Sequence, residues 1–444
     1  MPPAVGFEKT AKAHFEEIVM CKPEVLPEED KPEIRDIVIH AGKLIDGRSD
    51  EIRKEVSVII REGRISSIEN GFIDPTNYEL IDLSRATILP GLIDCHVHLA
   101  YNLAKYGQLQ LQLVTRSAYD ELLTAASSAE KTFMAGFTSV RDVGGHTPVV
   151  VALKKSIASN ETTGPRLWVS GDIIGPTGGH ADFRNAFDSC LSKPHWEDGI
   201  VDAPHEAVKA VRTRKMHGAD FIKIAPSGGV TSQKTDPNAQ TMTDEEIRAV
   251  VETAHSLNMR VAAHAHGLQA INHATSLGVD SIEHGTFADD ESYQIMRERG
   301  TWMTPTLSVG AFQAEMVKAK PDLLEPGTAR KIIQVSQTMN QNLGRAYAAG
   351  VKIAFGTDCG IAIHGKNANE FDLLVSSGMT PMDAIKAATS SAAELIGAPN
   401  DIGVIEVGAY ADIIATKENP LADITELERV AFVMKEGVVA RSDF

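Results

Sequence analysis

The middle of the chain alternates short apolar segments with longer segments whose apolar residues recur at helical spacing. This alternation predicts parallel β-α-β units. The predicted strands are residues 92–98, 138–142, 166–171, 220–224, 260–264, 281–284, 301–305 and 352–358. Helices are predicted between them, and Thr243 with Glu246 has the capping-box pattern before a helix at 244–257. Eight strands in this arrangement predict an α/β fold, a closed (β/α)8 TIM barrel, over residues 89–399.

The two ends of the chain have a different pattern, with short runs of alternating apolar and polar residues. These runs are residues 37–41, 56–60, 63–68, 403–415 and 430–434. They predict a small composite β-sandwich domain built from residues 35–88 and 400–444. Residues 1–34 combine helix-like spacing with a Pro- and Glu-rich stretch, which predicts a helical extension followed by a linker.

Composition excludes several classes of partner. The chain has 444 residues, with 43 Lys and Arg against 60 Asp and Glu, and its net charge of -17 opposes binding to nucleic acid or to an anionic membrane. It has no apolar stretch of about 18 residues that could span a bilayer. Four separated cysteines and the lack of a signal-peptide pattern predict reduced thiols and a cytoplasmic location. Cys95 and Cys359 are predicted to face the core and to have no catalytic role.

A His-X-His pair, His96 and His98, ends the first predicted barrel strand. Side chains two residues apart on a strand share a face, so both imidazoles point to the same side. Two nitrogen donors on one face suit a divalent ion such as zinc. In a chain with 15 histidines such a pair also arises by chance, so the motif needs support from the rest of the barrel.

Lys223 is a charged residue inside the apolar fourth strand. A lone ammonium group is costly to bury, and a salt bridge to a nearby carboxylate is the ordinary solution. Alongside the histidines, a second solution is a lysine whose amine has added carbon dioxide. The resulting carbamate has two oxygens and can bridge two metal ions.

Further candidate ligands end the fifth, sixth and eighth predicted strands. They are His264 or His266, His284 and Asp358. Enzymes built on this barrel carry their chemistry at the C-terminal ends of the strands, so these residues are expected to meet. Together they predict one binuclear metal site with the ligands His96, His98, Lys223, His264, His284 and Asp358.

This pattern resembles the amidohydrolase superfamily, which has His-X-His on strand one, a carboxylated lysine on strand four, histidines on strands five and six, and an aspartate on strand eight. Residues 177–182, 227–232, 236–237 and 364–370 resemble the binuclear branch that contains Xaa-Pro dipeptidases, carboxypeptidase-like amidohydrolases and ochratoxin-hydrolysing amidases. Ala181 departs from the glycine expected in the Gly-Gly-His-Gly-Asp motif of that branch.

The resemblance implies two divalent metal ions, with zinc expected from the ligand types, and a carboxylated Lys223. It implies hydrolysis of an amide bond between an acyl group and an amino acid with a free carboxylate, as in dipeptides, N-acyl amino acids or ochratoxin A. A metal-bridging hydroxide would attack the amide carbon, and Asp358 would carry the proton to the leaving nitrogen. Spacing and resemblance favour His264 as the ligand, with one metal polarising the carbonyl oxygen and His266 assisting it.

Three residues that follow strands two and three, His180, His146 and Arg141, are candidates to bind the substrate carboxylate. The resemblance also implies a homo-oligomer, octamers among the known forms. One alternative function is a one-metal cyclic-amide hydrolase resembling imidazolonepropionase, against which Lys223 argues. The other is a catalytically silent metal-binding barrel, against which the proton carrier Asp358 argues.

Overall fold

The computed structural model describes residues 36–102, 114–188, 190–191, 198–232, 235–320 and 326–444. The predicted helical extension at residues 1–34 lies outside these ranges. Within them, no helix combines the length and the apolar character needed to cross a bilayer.

Strands and helices alternate through the central part of the chain. The strands are β1 (Ile37–Ile45), β2 (Ile52–Arg61), β3 (Arg64–Asn70), β4 (Glu79–Pro90), β5 (Leu92–Val97), β6 (Phe137–Asp142), β7 (Arg166–Val169), β8 (Ile222–Ile224), β9 (Val261–Ala265), β10 (Ser281–His284), β11 (Trp302–Thr304), β12 (Lys352–Ile353), β13 (Ile413–Thr416), β14 (Phe432–Lys435) and β15 (Val438–Ser442). The helices are α1 (Ala118–Met134), α2 (Thr147–Ala158), α3 (Pro204–His217), α4 (Asp244–Ser256), α5 (Leu268–Ser276), α6 (Asp290–Arg299), α7 (Leu307–Ala319), α8 (Pro326–Ala348), α9 (Asn369–Ser376), α10 (Pro381–Ala387) and α11 (Ser390–Ile396).

Two parallel sheets form the central unit, one with the order β5-β6-β7 and the other with the order β12-β11-β10-β9-β8. Isolated parallel bridges join their edges, between Val97 and Cys359 on one side and between Ile174 and Ile224 on the other. The eight strands of this described region therefore follow one another around a ring in chain order. This is the order that a (β/α)8 barrel requires, and the predicted fold class is confirmed.

The predicted eighth strand, 352–358, is wrong in length, because its regular ladder ends at Ile353. Residues beyond it still bond across the ring: Cys95 N donates to Phe355 O at 2.8 Å and Asp358 N donates to His96 O at 2.7 Å. Beyond Ile353 the chain is tightly packed at Gly356, where a Cβ would overlap Thr304 Cγ2 and lie 2.8 Å from His96 Cβ. The left-handed conformation of Asp358, with φ of 57°, then turns the chain out of the ladder.

The capping box predicted before α4 is present. Thr243 Oγ1 accepts a hydrogen bond from Glu246 N at 3.3 Å, and Glu246 Oε2 accepts one from Thr243 N at 2.8 Å. The helix begins at Asp244, as the pattern predicts, because the two side chains satisfy backbone donors that its first turn leaves free.

The two ends of the chain share one sheet with the order β15-β14-β13-β4-β1-β2-β3. At the β3 edge of this sheet, Ile65 bonds to the segment that precedes β13: Ile65 N donates to Ala409 O at 2.9 Å and Gly408 N donates to Ile65 O at 2.8 Å. A buried apolar cluster separate from the barrel core includes Ile39, Val58, Ile88, Ile413 and Phe432. Strand β4 runs almost directly into β5, so this sheet anchors the strand that carries the His-X-His pair.

Candidate metal centre

One cavity at the C-terminal ends of the barrel strands collects the residues proposed as metal ligands. Its lining includes His96, His98, Lys223, His264, His284 and Asp358. All six side chains are buried, although they come from five different strands or strand ends of the barrel. The structure therefore brings the predicted set together.

Two groups of three donors lie side by side in this cavity. The ligand atoms of His264, His266 and His284 lie within 4.8 Å of one another, and so do those of His96, His284 and Asp358. His284 belongs to both groups. The structure thus places His264 and His266 equally well as donors, and the choice of His264 stays a prediction.

Lys223 and Asp358 each have a buried polar atom without a hydrogen-bond partner in the described part of the chain, Lys223 Nζ and Asp358 Oδ1. Asp358 Oδ1 lies 3.4 Å from His98 Nε2 and 3.7 Å from His96 Nε2. Burial lowers the pKa of Lys223 to about 8 and raises the pKa of Asp358 to about 8. Buried polar atoms of this kind are costly unless a ligand or ion satisfies them, so these residues fit a cation site.

Four of the candidate histidines bond outward through Nδ1, which leaves Nε2 for the cavity, whereas His264 has its Nε2 3.4 Å from Gly228 O. The Nδ1 partners are Glu283 Oε2 for His96 at 2.7 Å, Gly144 O for His98 at 2.7 Å, Thr286 Oγ1 for His266 at 2.7 Å and Thr306 Oγ1 for His284 at 2.8 Å. Burial lowers the pKa of His96 to about 4 and that of His266 to about 3, so both rings are neutral near pH 7. Neutral imidazoles held in this way are the form that binds divalent metals.

The sequence analysis missed Glu283, a buried carboxylate that directly precedes His284. Glu283 Oε1 accepts hydrogen bonds from Arg141 Nη2 at 2.7 Å and from Ser281 Oγ at 2.5 Å. Burial alone would raise the pKa of Glu283, but the charges of Arg141 and Lys223 and the bond to His96 hold that pKa well below its usual range. A carboxylate inside a buried strand was the available sequence signal.

Of the three residues predicted to bind the substrate carboxylate, one lines the cavity and two do not. His180 lines the cavity, stacks on His264 with ring centroids 4.1 Å apart, and bonds through Nδ1 to Ser232 Oγ at 2.6 Å. Arg141 does not line it, because its guanidinium is committed to Glu283 and to Cys95 O at 2.6 Å. His146 does not line it either and lies beside a carboxylate of α1, with its Nδ1 3.7 Å from an oxygen of Glu121.

The motifs at residues 177–182 and 227–232 contact each other at His180. A side chain at Gly229 would overlap the imidazole of His180, so this glycine lets the ring approach. Ala181 stands where the motif of the branch has glycine, and it is buried. A Cβ added at Gly175 would lie only 3.0 Å from the Cβ of Ala181. The extra methyl group is therefore accommodated by a glycine on the facing segment.

The motif at residues 364–370 braces strand ends and does not line the cavity. His364 Nε2 lies 3.2 Å from His98 O, and Asn367 Nδ2 donates to Asp94 Oδ2 at 2.8 Å. Glu370 accepts from the backbone N–H of Leu307 at 2.8 Å, the first residue of α7. The motif thus ties the segment after strand eight to strands one and seven.

Two candidate ligands have strained backbones. His284 has φ of 72° and Asp358 has φ of 57°, in the left-handed region that residues with a Cβ seldom adopt. Thr306, which bonds His284, has φ of 53°. Each such residue costs about 1–3 kcal/mol, and strain of this kind concentrates at functional sites.

Cys95 and Cys359 are buried and do not line the cavity. Burial raises the pKa of the Cys95 thiol to about 12, so it is not a thiolate near pH 7. Both thiols pack in the core next to candidate ligands, and neither has the thiolate character that a catalytic cysteine needs.

Comparison with known proteins matches residues 87–440 to the model of the amidohydrolase family. The ochratoxinase of Aspergillus niger is 31% identical over 436 residues, covering 94% of this chain and 88% of that protein. The crystal structure of an Xaa-Pro dipeptidase with methionine bound in its active site has 40% identity and a TM-score of 0.87, covering 92% of this chain and 100% of the other. An imidazolonepropionase of Rhizobium rhizogenes is 24% identical over 386 residues, covering 82% of this chain and 86% of the other.

Proposed function

Because the chain belongs to the amidohydrolase family, we propose that it hydrolyses an amide bond between an acyl group and an amino acid with a free carboxylate, with two divalent metal ions as cofactors. The observation that carries the proposal is the pair of adjoining donor groups that share His284. The unpartnered Nζ of Lys223 in the same cavity supports a site for more than one ion.

His96, His98, His264, His284 and Asp358 would hold the ions, with carboxylated Lys223 as a shared ligand. Only a neutral amine adds carbon dioxide, and the lowered pKa of Lys223, about 8, increases the neutral fraction near pH 7. The amine nitrogen forms a bond to the carbon of carbon dioxide and loses a proton, which gives the carbamate anion. Zinc is the expected ion because four of the ligands are histidines.

Bound divalent cations would supply Lewis-acid polarisation of the amide carbonyl and a water of lowered pKa. Burial raises the pKa of Asp358 to about 8, and bound cations would lower that pKa and keep the carboxylate ionised. Asp358 would accept the proton of the attacking water, since its Oδ1 has no hydrogen-bond partner in the described region. It would then deliver that proton to the amide nitrogen as the C–N bond breaks, which gives a carboxylate and an amine. His266, in the tautomer whose Nδ1 accepts from the hydroxyl of Thr286, would donate from Nε2 to the developing oxyanion.

The substrate class draws support from relatives named for a dipeptide and for ochratoxin. In this chain, His180 is the candidate that remains for the substrate carboxylate, because Arg141 and His146 do not line the cavity. Burial lowers the pKa of His180 to about 4, so we assign it the role of a neutral hydrogen-bond donor and not of a counter-ion.

A hydrolysis panel tests the proposal. The purified protein is assayed with Xaa-Pro dipeptides, N-acyl amino acids, ochratoxin A and a cyclic amide, in the wild type and in Asp358→Asn. We expect cleavage of at least one of the linear amides and a loss of kcat of roughly 10²–10⁴-fold in the variant. Asp372→Asn, at an exposed position on α9, is the control and should retain full activity. Turnover of the cyclic amide alone would instead support a hydrolase like imidazolonepropionase.

A further inference from the structure

One wall of the cavity is formed by α7 and α8 and is almost entirely apolar. From α7 it receives Val309, and from α8 it receives Ile332, Val335 and Met339. The three residues of α8 follow helical spacing, so they form one face of that helix. Such a wall suits an apolar part of a substrate.

Gln313 of α7 lines the same wall. The residue is only 7% exposed, and its carboxamide makes no hydrogen bond to another described residue, so its polar atoms open onto the cavity. Gln313 lies four residues after Val309, so the two share a face of α7. A carboxamide that faces the cavity from an otherwise apolar wall, without a protein partner in the described region, is free to hydrogen-bond a molecule bound there.

A glycine beside Gln313 lets α7 and α8 pack closely. Gly310 lies three residues before it on the same face and also lines the cavity. A Cβ at Gly310 would lie 3.2 Å from the sulfur of Met339, closer than an ordinary contact. The absence of a side chain at this position lets the two helices approach each other, so that Gln313 and Met339 lie on one continuous wall.

Thr306, the residue immediately before α7, connects this wall to the candidate metal centre through its bond to His284 at 2.8 Å. Gln313 follows Thr306 by seven residues. At the rise of an α-helix this separates them by roughly 10 Å along the axis. A group that reaches Gln313 must therefore be carried by an extended part of the substrate.

We propose that Gln313 is a specificity-determining residue that hydrogen-bonds a neutral polar group near the end of an elongated, otherwise apolar acyl group. A carboxamide both donates and accepts, so it matches an amide or hydroxyl group. The α7 and α8 residues of this wall include no charged side chain, so a charged group would lose its hydration without compensation. His180, Asn185 and Ser232 line another part of the cavity and suit the carboxylate end. This inference rests on the proposed function.

Matched N-acyl amino acids test it. One series carries plain alkyl acyl groups of about four to eight carbons, and the other carries the same chains ending in a primary amide. We expect Gln313→Leu to lower the ratio of kcat/KM for amide-ended over plain substrates by roughly tenfold at the best chain length. Gln341→Leu, at an exposed position on α8, is the control and should leave the ratio unchanged.

Stability separates recognition from a structural role. Since the carboxamide of Gln313 has no hydrogen-bond partner in the described region, Gln313→Leu should not lower Tm. An unchanged substrate ratio, or a fall in Tm with equal losses for both series, would overturn the assignment of Gln313. Failure of the wild type to cleave any linear amide would overturn the proposed function itself, which is a different result from cleavage with an unchanged ratio.

Discussion

His96 and Glu283 are joined by a buried hydrogen bond of 2.7 Å between Nδ1 of the imidazole and Oε2 of the carboxylate. Glu283 is itself held by Arg141, whose side chain crosses from β6 to β10 through the barrel interior. Because the carboxylate accepts the Nδ1 proton, the Nε2 of His96 carries the lone pair that faces the cavity. A charged pair inside the barrel thus fixes the orientation of one candidate metal ligand.

Replacing Glu283 by Gln should weaken metal binding. The variant keeps the size of the side chain but loses the charge that orients His96, and changes of this kind reduce metal affinity roughly 10–100-fold. Competition with a chelator of known affinity measures the effect. Glu298→Gln, at an exposed position on α6, serves as the control. Wild-type affinity in a folded Glu283→Gln protein would show that the bond to His96 is not needed for binding.

Replacing Arg141 by Met should destabilise the fold. The substitution leaves the carboxylate of Glu283 buried without its guanidinium partner, and breaking a buried pair in this way costs roughly 3–5 kcal/mol. Urea unfolding of the metal-free protein measures the change in the free energy of unfolding. Arg345→Met removes an exposed ion pair with Asp290 and should have little effect. Equal stability of the two variants would contradict a structural role for Arg141.

Asp142 should make stability fall with rising pH. Its carboxylate accepts from Leu99 N at 2.8 Å and from Gly144 N at 3.2 Å, yet burial raises its pKa to about 7. Between about pH 4 and pH 7, Asp142 is therefore more often protonated in the folded state than in the unfolded state. Its contribution to the free energy of unfolding is full below about pH 4 and is lost as the pH rises to 7.

The test is the pH slope of the free energy of unfolding in Asp142→Asn. Asn cannot titrate, so the slope between pH 4 and pH 7 should become more positive than in the wild type, by at most about 1.4 kcal/mol per pH unit. The amide also loses one of the two backbone bonds, but that loss does not depend on pH. Parallel pH profiles for the two proteins would refute the raised pKa of Asp142.

The sequence predicts the fold and the shared cavity well because both depend on local patterns. Apolar runs mark the strands, and a polar residue at the end of a buried strand, such as His284, marks the C-terminal face of the barrel. The capping box of Thr243 is equally local and places the start of α4 correctly. The regular part of strand eight ends at Ile353, and the left-handed backbone of Asp358 turns the chain away, a feature that periodicity does not record.

Contacts across the ring could not be predicted in this way. Arg141 and Glu283 lie 142 positions apart in the chain and meet only in the closed barrel. The sequence therefore predicts that Arg141 binds the substrate carboxylate, whereas it is a buried partner of Glu283. The bracing contact of His364 with His98 O likewise forms where strand eight returns to strand one. Gln313 gave no signal, since one polar residue on an amphipathic helix is ordinary until the structure shows that it is buried in a cavity wall.

Metal content of the purified protein, measured by mass spectrometry of the elements, tests the central claim most directly. We expect about two divalent ions per chain in the wild type and about one or fewer in Lys223→Ala, because the shared ligand is lost. Lys215→Ala, at an exposed position on α3, should keep the wild-type content. About one ion per wild-type chain, or the same content in Lys223→Ala as in the wild type, would contradict a binuclear centre bridged by Lys223.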